Sequence, residues 1–251
     1  MRLICLVNNY LGWQALDYLR TRADAVAVVI HPAERAKFQS EIVASAEAAG
    51  AQVFRASDLT SEVTVRKMAE LRPELGISVM FGYVLKKDFL DILPHGCLNL
   101  HPAYLPYNRG AHPNVWSIVE KTPAGVTLHY IDEGIDTGDI VGQKLLPSSC
   151  SDTGETLYHK LEVAAMELLK ESWPAIESGQ LQSVPQAHGD ATYHKQADLS
   201  RIEEIHLDQS YRAGDLLNLL RARTFPPYPG AFFRHNGKKV QVRVQFEDAD
   251  E

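Results

Sequence analysis

Asn99 and His101 are the two residues best placed to do chemistry, because they interrupt an apolar run, CLNLHP, that has no packing need for either. In a strand successive side chains point to opposite faces, so these two share one side while Leu98 and Leu100 take the other. Pro102 cannot extend a hydrogen-bond ladder, so the strand is expected to end there and leave an amide and an imidazole at the mouth of a sheet. Further along, DEGIDTGDI (132–140) is a loop rich in acids and glycines. In isolation it reads as a tight turn between strands, and it lacks the spacing of a calcium-binding EF-hand loop. An amide, an imidazole and a loop carboxylate together supply an acyl-transfer site with an oxyanion donor, a proton acceptor and an acid to orient the ring. Spacing alone leaves the plainer alternative open: Asn99 tying down a neighbouring loop, and His101 a satisfied, half-buried histidine.

Positioning such groups needs a sheet. RLICLV, AVAVVI, AQVF, LGISVM and CLNL read as strands, and the amphipathic stretches near 11–22, 36–49 and 60–72 read as helices. The alternation predicts an α/β fold: a Rossmann-like, mostly parallel sheet flanked by helices, whose ligands bind outside the carboxyl ends of the strands. AGVTLHYI and DIVGQKLL read as two further strands, and the stretch from Pro102 to Trp116 as a long irregular loop. A long core-packing helix is expected from SDTGETL onward, with Asp152 as N-cap and Glu155 three residues on. Residues 185–200 look irregular, with a turn at ATYHK. AGDLLNLLRAR reads as a helix, and the alternation of Val240, Val242, Val244 and Phe246 after Asn236-Gly237 reads as a β-hairpin. The expected organisation is a main catalytic domain over 1–190 and a small C-terminal unit of helix and β-hairpin over 191–251.

Bulk properties narrow the classes. With 251 residues, 45% hydrophobic and 23% charged, the chain is long enough for one substantial core. A net charge of −7 and the acidic tail FEDADE argue against a nucleic-acid surface, which needs a clustered basic footprint. The apolar runs are too short to span a membrane and the start MRLICLVNNY lacks a signal-peptide pattern, so a cytoplasmic protein is expected. Three cysteines read as reduced thiols, Cys5 and Cys97 lying in apolar runs, and the ten histidines show no ligand spacing, so no metal is expected. VNNYLG after the first strand lacks a GxGxxG loop, which argues against a dinucleotide cofactor.

LNLHPAYLPYNRG followed by IDEGIDTGDI resembles the folate-dependent formyltransferases, and RARTFPPYPGAFF is similar to their sugar N-formyltransferase branch. The resemblance runs from the first strand to about Tyr193. It implies Asn99, His101 and Asp136 as the catalytic set and 10-formyltetrahydrofolate as the donor. The pterin would lie along Met80, Phe81, Gly82, Tyr83, Val84 and Leu85 and the loop from Asp132. Gly82 would admit a flat ring close to the backbone, although the segment also reads as a strand end packing on a helix. The implied acceptor is the amine of a nucleoside-diphosphate-linked amino sugar. Arg109 could grip a phosphate, with His112 and Asn114 as further polar candidates, and Asn9 and Tyr10 could reach the acceptor. Phe225 and Tyr228 could stack on a nucleobase or plug the core beneath the hairpin. The hairpin's apolar face is expected to pair subunits into a homodimer. Methionyl-tRNA or glycinamide ribonucleotide formylation, or a non-catalytic ligand-binding protein of the same fold, are the alternatives.

Overall fold

The computed structural model describes residues 1–187 and 189–247, so residues 248–251 of the acidic tail lie outside the described residues. In chain order the elements are β1 (Arg2–Val7), α1 (Asn9–Leu19), β2 (Asp24–Ile30), α2 (Gln39–Ala48), β3 (Gln52–Arg55), α3 (Glu62–Glu70), β4 (Leu75–Val79), α4 (Lys87–Leu90) and β5 (Cys97–His101). They continue with β6 (Arg109–Gly110), α5 (Pro113–Glu120), β7 (Ala124–Tyr130), β8 (Ile140–Leu146), α6 (Gly154–Glu177), β9 (Tyr193–His194), α7 (Ala213–Ala222), β10 (Ala231–His235) and β11 (Lys238–Val242).

The main sheet has the order β3-β2-β1-β4-β5-β7-β8. β3, β2, β1, β4 and β5 run parallel, and β7 joins β5 antiparallel. This is the Rossmann-like α/β sheet expected from the strand–helix alternation. β1, β2 and β4 are buried along almost their whole length, the continuous apolar reading of strands covered on both faces. Ile4, Leu6, Val29, Met68, Phe89 and Leu93 share one core cluster beneath it. Gly12 lets α1 approach the sheet: a Cβ there would come 3.2 Å from the Val79 carbonyl oxygen. Cys5 and Cys97 are buried free thiols, and burial pushes the Cys5 thiol up to about 12 and Cys97 also upward. Among the described residues no helix is long and apolar enough to cross a membrane.

The chain forms two compact units, one of Met1–His101, Thr127–Gln143 and Ala165–Gln186, the other of Pro102–Val126, Lys144–Ala164 and Ala187–Glu251. In the second, α5 packs on α7, and β10 and β11 form the expected hairpin. Asn236 and Gly237 make its turn with φ of 49° and 75°, the left-handed pair that matches strand twist.

Three local expectations are corrected within the second unit. The segment read as a long irregular loop contains helix α5, which Pro113 starts at its first position, where the missing N–H costs nothing. ATYHK is no simple turn: Tyr193 and His194 pair in parallel with Arg109 and Gly110. And α6 begins at Gly154, so Thr153 occupies the cap position, Thr153 and Thr156 exchanging backbone-to-hydroxyl bonds of 3.2 and 2.9 Å. Asp152 instead accepts from the Ser149 N–H and the Lys160 ammonium, both at 2.7 Å.

Candidate active site

β5 ends at His101, so Asn99 and His101 emerge on one side of the strand at the sheet's carboxyl edge, as alternation requires. The neighbour there is β7, in a register that sets Asn99 opposite His129 and His101 opposite Thr127. After β7 the loop returns toward these residues and brings Asp136 with it. Asp136 holds φ at 52°, a left-handed conformation uncommon for a residue with a side chain.

The four side chains meet. Asn99 Nδ2 donates to Asp136 Oδ1 at 3.2 Å and lies 3.2 Å from His129 Nε2. His101 Nε2 is 3.6 Å from the other carboxylate oxygen, Oδ2, and His129 Nε2 is 3.5 Å from Oδ1. His129 Nδ1 lies 2.7 Å from the Tyr130 carbonyl, an oxygen that can only accept. In the neutral ring the proton therefore sits on Nδ1, and Nε2 accepts from Asn99. With one amide hydrogen on Asp136 and the other on His129, the Asn99 amide is oriented nitrogen-inward. His101 is 6% exposed and His129 1%, so these contacts are shielded from bulk water, and that strengthens them electrostatically.

His129 is the site residue that sequence reasoning missed. Its signal was available, since Thr127 and His129 interrupt an apolar strand with the same two-residue spacing as Asn99 and His101. The register that makes it their partner was not.

The segment proposed for a pterin leaves β4 through Met80, whose φ is 55°. Phe81 and Tyr83 pack edge-on against His31, with ring centroids 5.1 and 5.0 Å away, and the Gly82 N–H points at His31 Nε2 from 3.4 Å. Burial lowers the His31 pKa below its ordinary value. Beside Gly82 the space is open: an added Cβ would find its nearest neighbour, His31 Cε1, only at 4.0 Å. Val84 is exposed, while Leu85 is a core residue packed with Phe89 and Leu93. Asp132 closes the tip of its own loop, accepting from the Gly134 N–H at 2.9 Å and the Thr137 hydroxyl at 2.6 Å.

Asn9 and Tyr10 open α1 in the same unit. The Asn9 N–H donates to the Lys37 carbonyl, and the half-exposed Tyr10 ring joins Trp13 and Phe38, with centroids 5.8 and 5.4 Å away. Sequence reading singled out neither Trp13 nor Phe38, whose contact depends on the left-handed turn that Phe38 makes before α2.

The remaining candidates lie in the second unit. Arg109 is buried on β6. His112, with a φ of 57° before α5, pairs through Nε2 with Gln196 Oε1 at 2.7 Å, and burial lowers its pKa. Asn114 is buried and donates to the Gly154 carbonyl at 2.8 Å, tying α5 to the start of α6. Phe225 and Tyr228 stand edge to face at 5.1 Å, with Tyr158 and His159 also against Phe225.

The pattern for a formyl transferase domain matches residues 3–172, and that for an N-formyltransferase dimerization C-terminal domain matches residues 198–248. Methionyl-tRNA formyltransferase of Acetivibrio thermocellus is 36% identical over 194 residues, 77% of this chain and 61% of that protein, so the chain spans less than two thirds of its length. A Mycobacterium tuberculosis protein considered a sugar N-formyltransferase superposes with a TM-score of 0.84 and 26% identity, covering 100% of this chain and 99% of that one. The formyltransferase PseJ from Anoxybacillus kamchatkensis, crystallised with UDP-4,6-dideoxy-4-formamido-L-AltNAc and tetrahydrofolate, is 28% identical with a TM-score of 0.59 over 80% of this chain and 89% of that one. From the first strand through most of α6 and again across the carboxyl-terminal hairpin, the likeness is continuous, and the chain belongs to the formyl transferase family.

Proposed function

We propose that the protein moves a formyl group from 10-formyltetrahydrofolate to the amine of a nucleoside-diphosphate-linked amino sugar. The observation that carries this reading is the convergence on one carboxylate at the carboxyl edge of the sheet, with Asn99 Nδ2 3.2 Å from Asp136 Oδ1 and His101 Nε2 3.6 Å from Asp136 Oδ2. A scaffold would need none of these groups so disposed.

The residues present fit a folate. The open space beside Gly82 leaves room for a flat ring against backbone, and Met80–Leu85 with the Asp132 loop would hold it. The bound donor supplies the formyl carbon. The Asn99 amide hydrogen that rests on Asp136 turns to the carbonyl oxygen as negative charge gathers there during attack by the amine, and loss of one such donor typically costs about 100- to 1000-fold in rate. His101 takes up the proton released by the amine and passes it to the folate nitrogen as the bond from that nitrogen to the formyl carbon breaks, releasing tetrahydrofolate and the formamide. Such proton transfer is worth about 100- to 10,000-fold. Asp136 orients the imidazole and stabilises its cation.

For the acceptor, support comes from the structural likeness to PseJ and its formamido sugar nucleotide. Arg109, His112 and Asn114 are assigned to the nucleotide's polar groups, Phe225 and Tyr228 to its base, and Asn9 and Tyr10 to the sugar. The match to a dimerization domain over residues 198–248 supports a homodimer, for which the cytoplasm is the proposed compartment. One observation favours a second reading, transfer to methionyl-tRNA: the 36% identity to an enzyme of that name. The net charge of −7 weighs against it, because tRNA binding draws on phosphate neutralisation.

The test is deformylation of the folate in the presence of amino sugars on nucleoside diphosphates, set beside methionyl-tRNA and glycinamide ribonucleotide. Turnover confined to the sugar nucleotides is expected. Turnover with tRNA alone would replace this acceptor, and an absence of both folate turnover and folate binding would end the transferase reading.

A further inference from the structure

The Asp136 loop is held by a residue with no part in the chemistry. The chain leaving α6 runs back beside β8, where Ile140 and Val184 exchange backbone hydrogen bonds of 2.8 and 2.9 Å. Two residues on, the side chain of Gln186 turns inward and is 5% exposed. Its single amide nitrogen lies 2.9 Å from the Asp136 carbonyl oxygen and 2.6 Å from that of Gly138. Both partners only accept, so the amide must face them nitrogen-first and spend its two hydrogens on them.

Those carbonyls belong to the strained part of the loop. With φ at 52°, Asp136 would relax toward an extended or right-handed conformation if its backbone were released, and either change would swing its Cα–Cβ bond. Asp132 accepts from the Thr137 hydroxyl at 2.6 Å and the Tyr130 N–H donates to the Asp139 carbonyl at 2.9 Å, and Gln186 adds the grip on the two carbonyls between them. Fixing the two peptide groups on the carboxyl side of Asp136 fixes where its carboxylate points.

We infer that Gln186 is a positioning residue: by gripping the Asp136 and Gly138 carbonyls, it keeps the left-handed loop in the conformation that aims the Asp136 carboxylate at Asn99 and His101. The inference rests on the role proposed above for Asp136 in formyl transfer. Both of these Gln186 bonds are to the loop's backbone, so through them it acts on the reaction by way of Asp136.

Gln186→Met keeps the side chain's length and removes both donors. The expected result is a kcat reduced at least about tenfold with KM for both substrates within about threefold, because displacements of an ångström at a catalytic group carry penalties of this size. In the double variant Gln186→Met with Asp136→Asn, turnover should equal that of Asp136→Asn alone to within about twofold, since a residue acting through Asp136 has nothing left to position. Single-variant turnover within twofold of the parent, or losses that multiply in the double variant, would overturn the inference. A crystal structure of Gln186→Met separates this outcome from failure of the transferase reading, because it needs no activity. A His101–Asp136 separation beyond 4 Å, or an Asp136 φ that turns negative, supports positioning, and an unchanged site refutes it. Gln186→Leu serves if the first variant does not fold. Loss of folding in both would make Gln186 a structural residue and remove the inference.

Discussion

The amide nitrogen of Asn99 stands 3.2 Å from Nε2 of His129, a ring whose other nitrogen is committed to the Tyr130 carbonyl at 2.7 Å. A neutral imidazole with its proton so placed can only accept at Nε2, so His129 dictates which way the Asn99 amide faces. The other amide hydrogen rests on Asp136, and it is the one that can turn from the carboxylate to a reacting carbonyl.

Replacing His129, itself 1% exposed, by Phe keeps much of the ring's volume but leaves the Asn99 amide and the Tyr130 carbonyl each short of a partner. Each unpaired buried group costs about 1–3 kcal/mol, so a lower unfolding midpoint is expected. Turnover should fall about tenfold as the Asn99 amide gains freedom to flip. Unchanged kcat in a measurably destabilised protein would reduce His129 to a packing residue.

Asn99→Ala, His101→Ala and Asp136→Ala should each lower turnover at least about a hundredfold, with far-ultraviolet circular dichroism unaltered. Combined, their losses should not multiply, because the three act on one reacting centre. Near-parental activity in any one of them strikes that residue from the set.

Gly138 lies where a Cβ would collide with the Tyr130 carbonyl. That oxygen anchors His129, so the clash in Gly138→Ala should reach the site through the His129 ring. Turnover reduced about tenfold or more is expected, with both carbonyl and ring displaced in a crystal structure. Full activity would mean the loop absorbs the extra methyl without disturbing Asp136.

Stability should fall in mild acid. Burial pushes the His31 and His112 imidazoles below their ordinary 6.5, so as pH drops through 6.5 the unfolded chain takes protons that the folded one refuses. Their contribution is whole above 6.5 and declines below it until each folded-state pKa is passed. Thermal melts between about pH 7.5 and pH 5 should show a midpoint that drops less in His31→Gln/His112→Gln than in the parent. Parallel curves for the two proteins would assign the acid sensitivity elsewhere.

Much of this site was readable before any coordinates, because its key relationships are local. Strand alternation alone puts Asn99 and His101 on one side, Pro102 ends their strand, and the left-handed preference of Asn236-Gly237 sets the hairpin turn. Short-range stereochemistry decides each of these within a few residues. Register between strands belongs to a different kind of problem: the antiparallel docking of β7 that sets His129 opposite Asn99, and the return of Gln186 beside β8 to grip the Asp136 loop, depend on which apolar faces the whole chain can bury together. The same competition turned Pro113–Glu120 into a helix and moved the α6 cap from Asp152 to Thr153. Sequence by itself named the amide, the imidazole and, through family resemblance, the carboxylate. Tertiary structure decided how those three are aimed, because the groups that aim them come from far along the chain and meet only when the sheet closes its core.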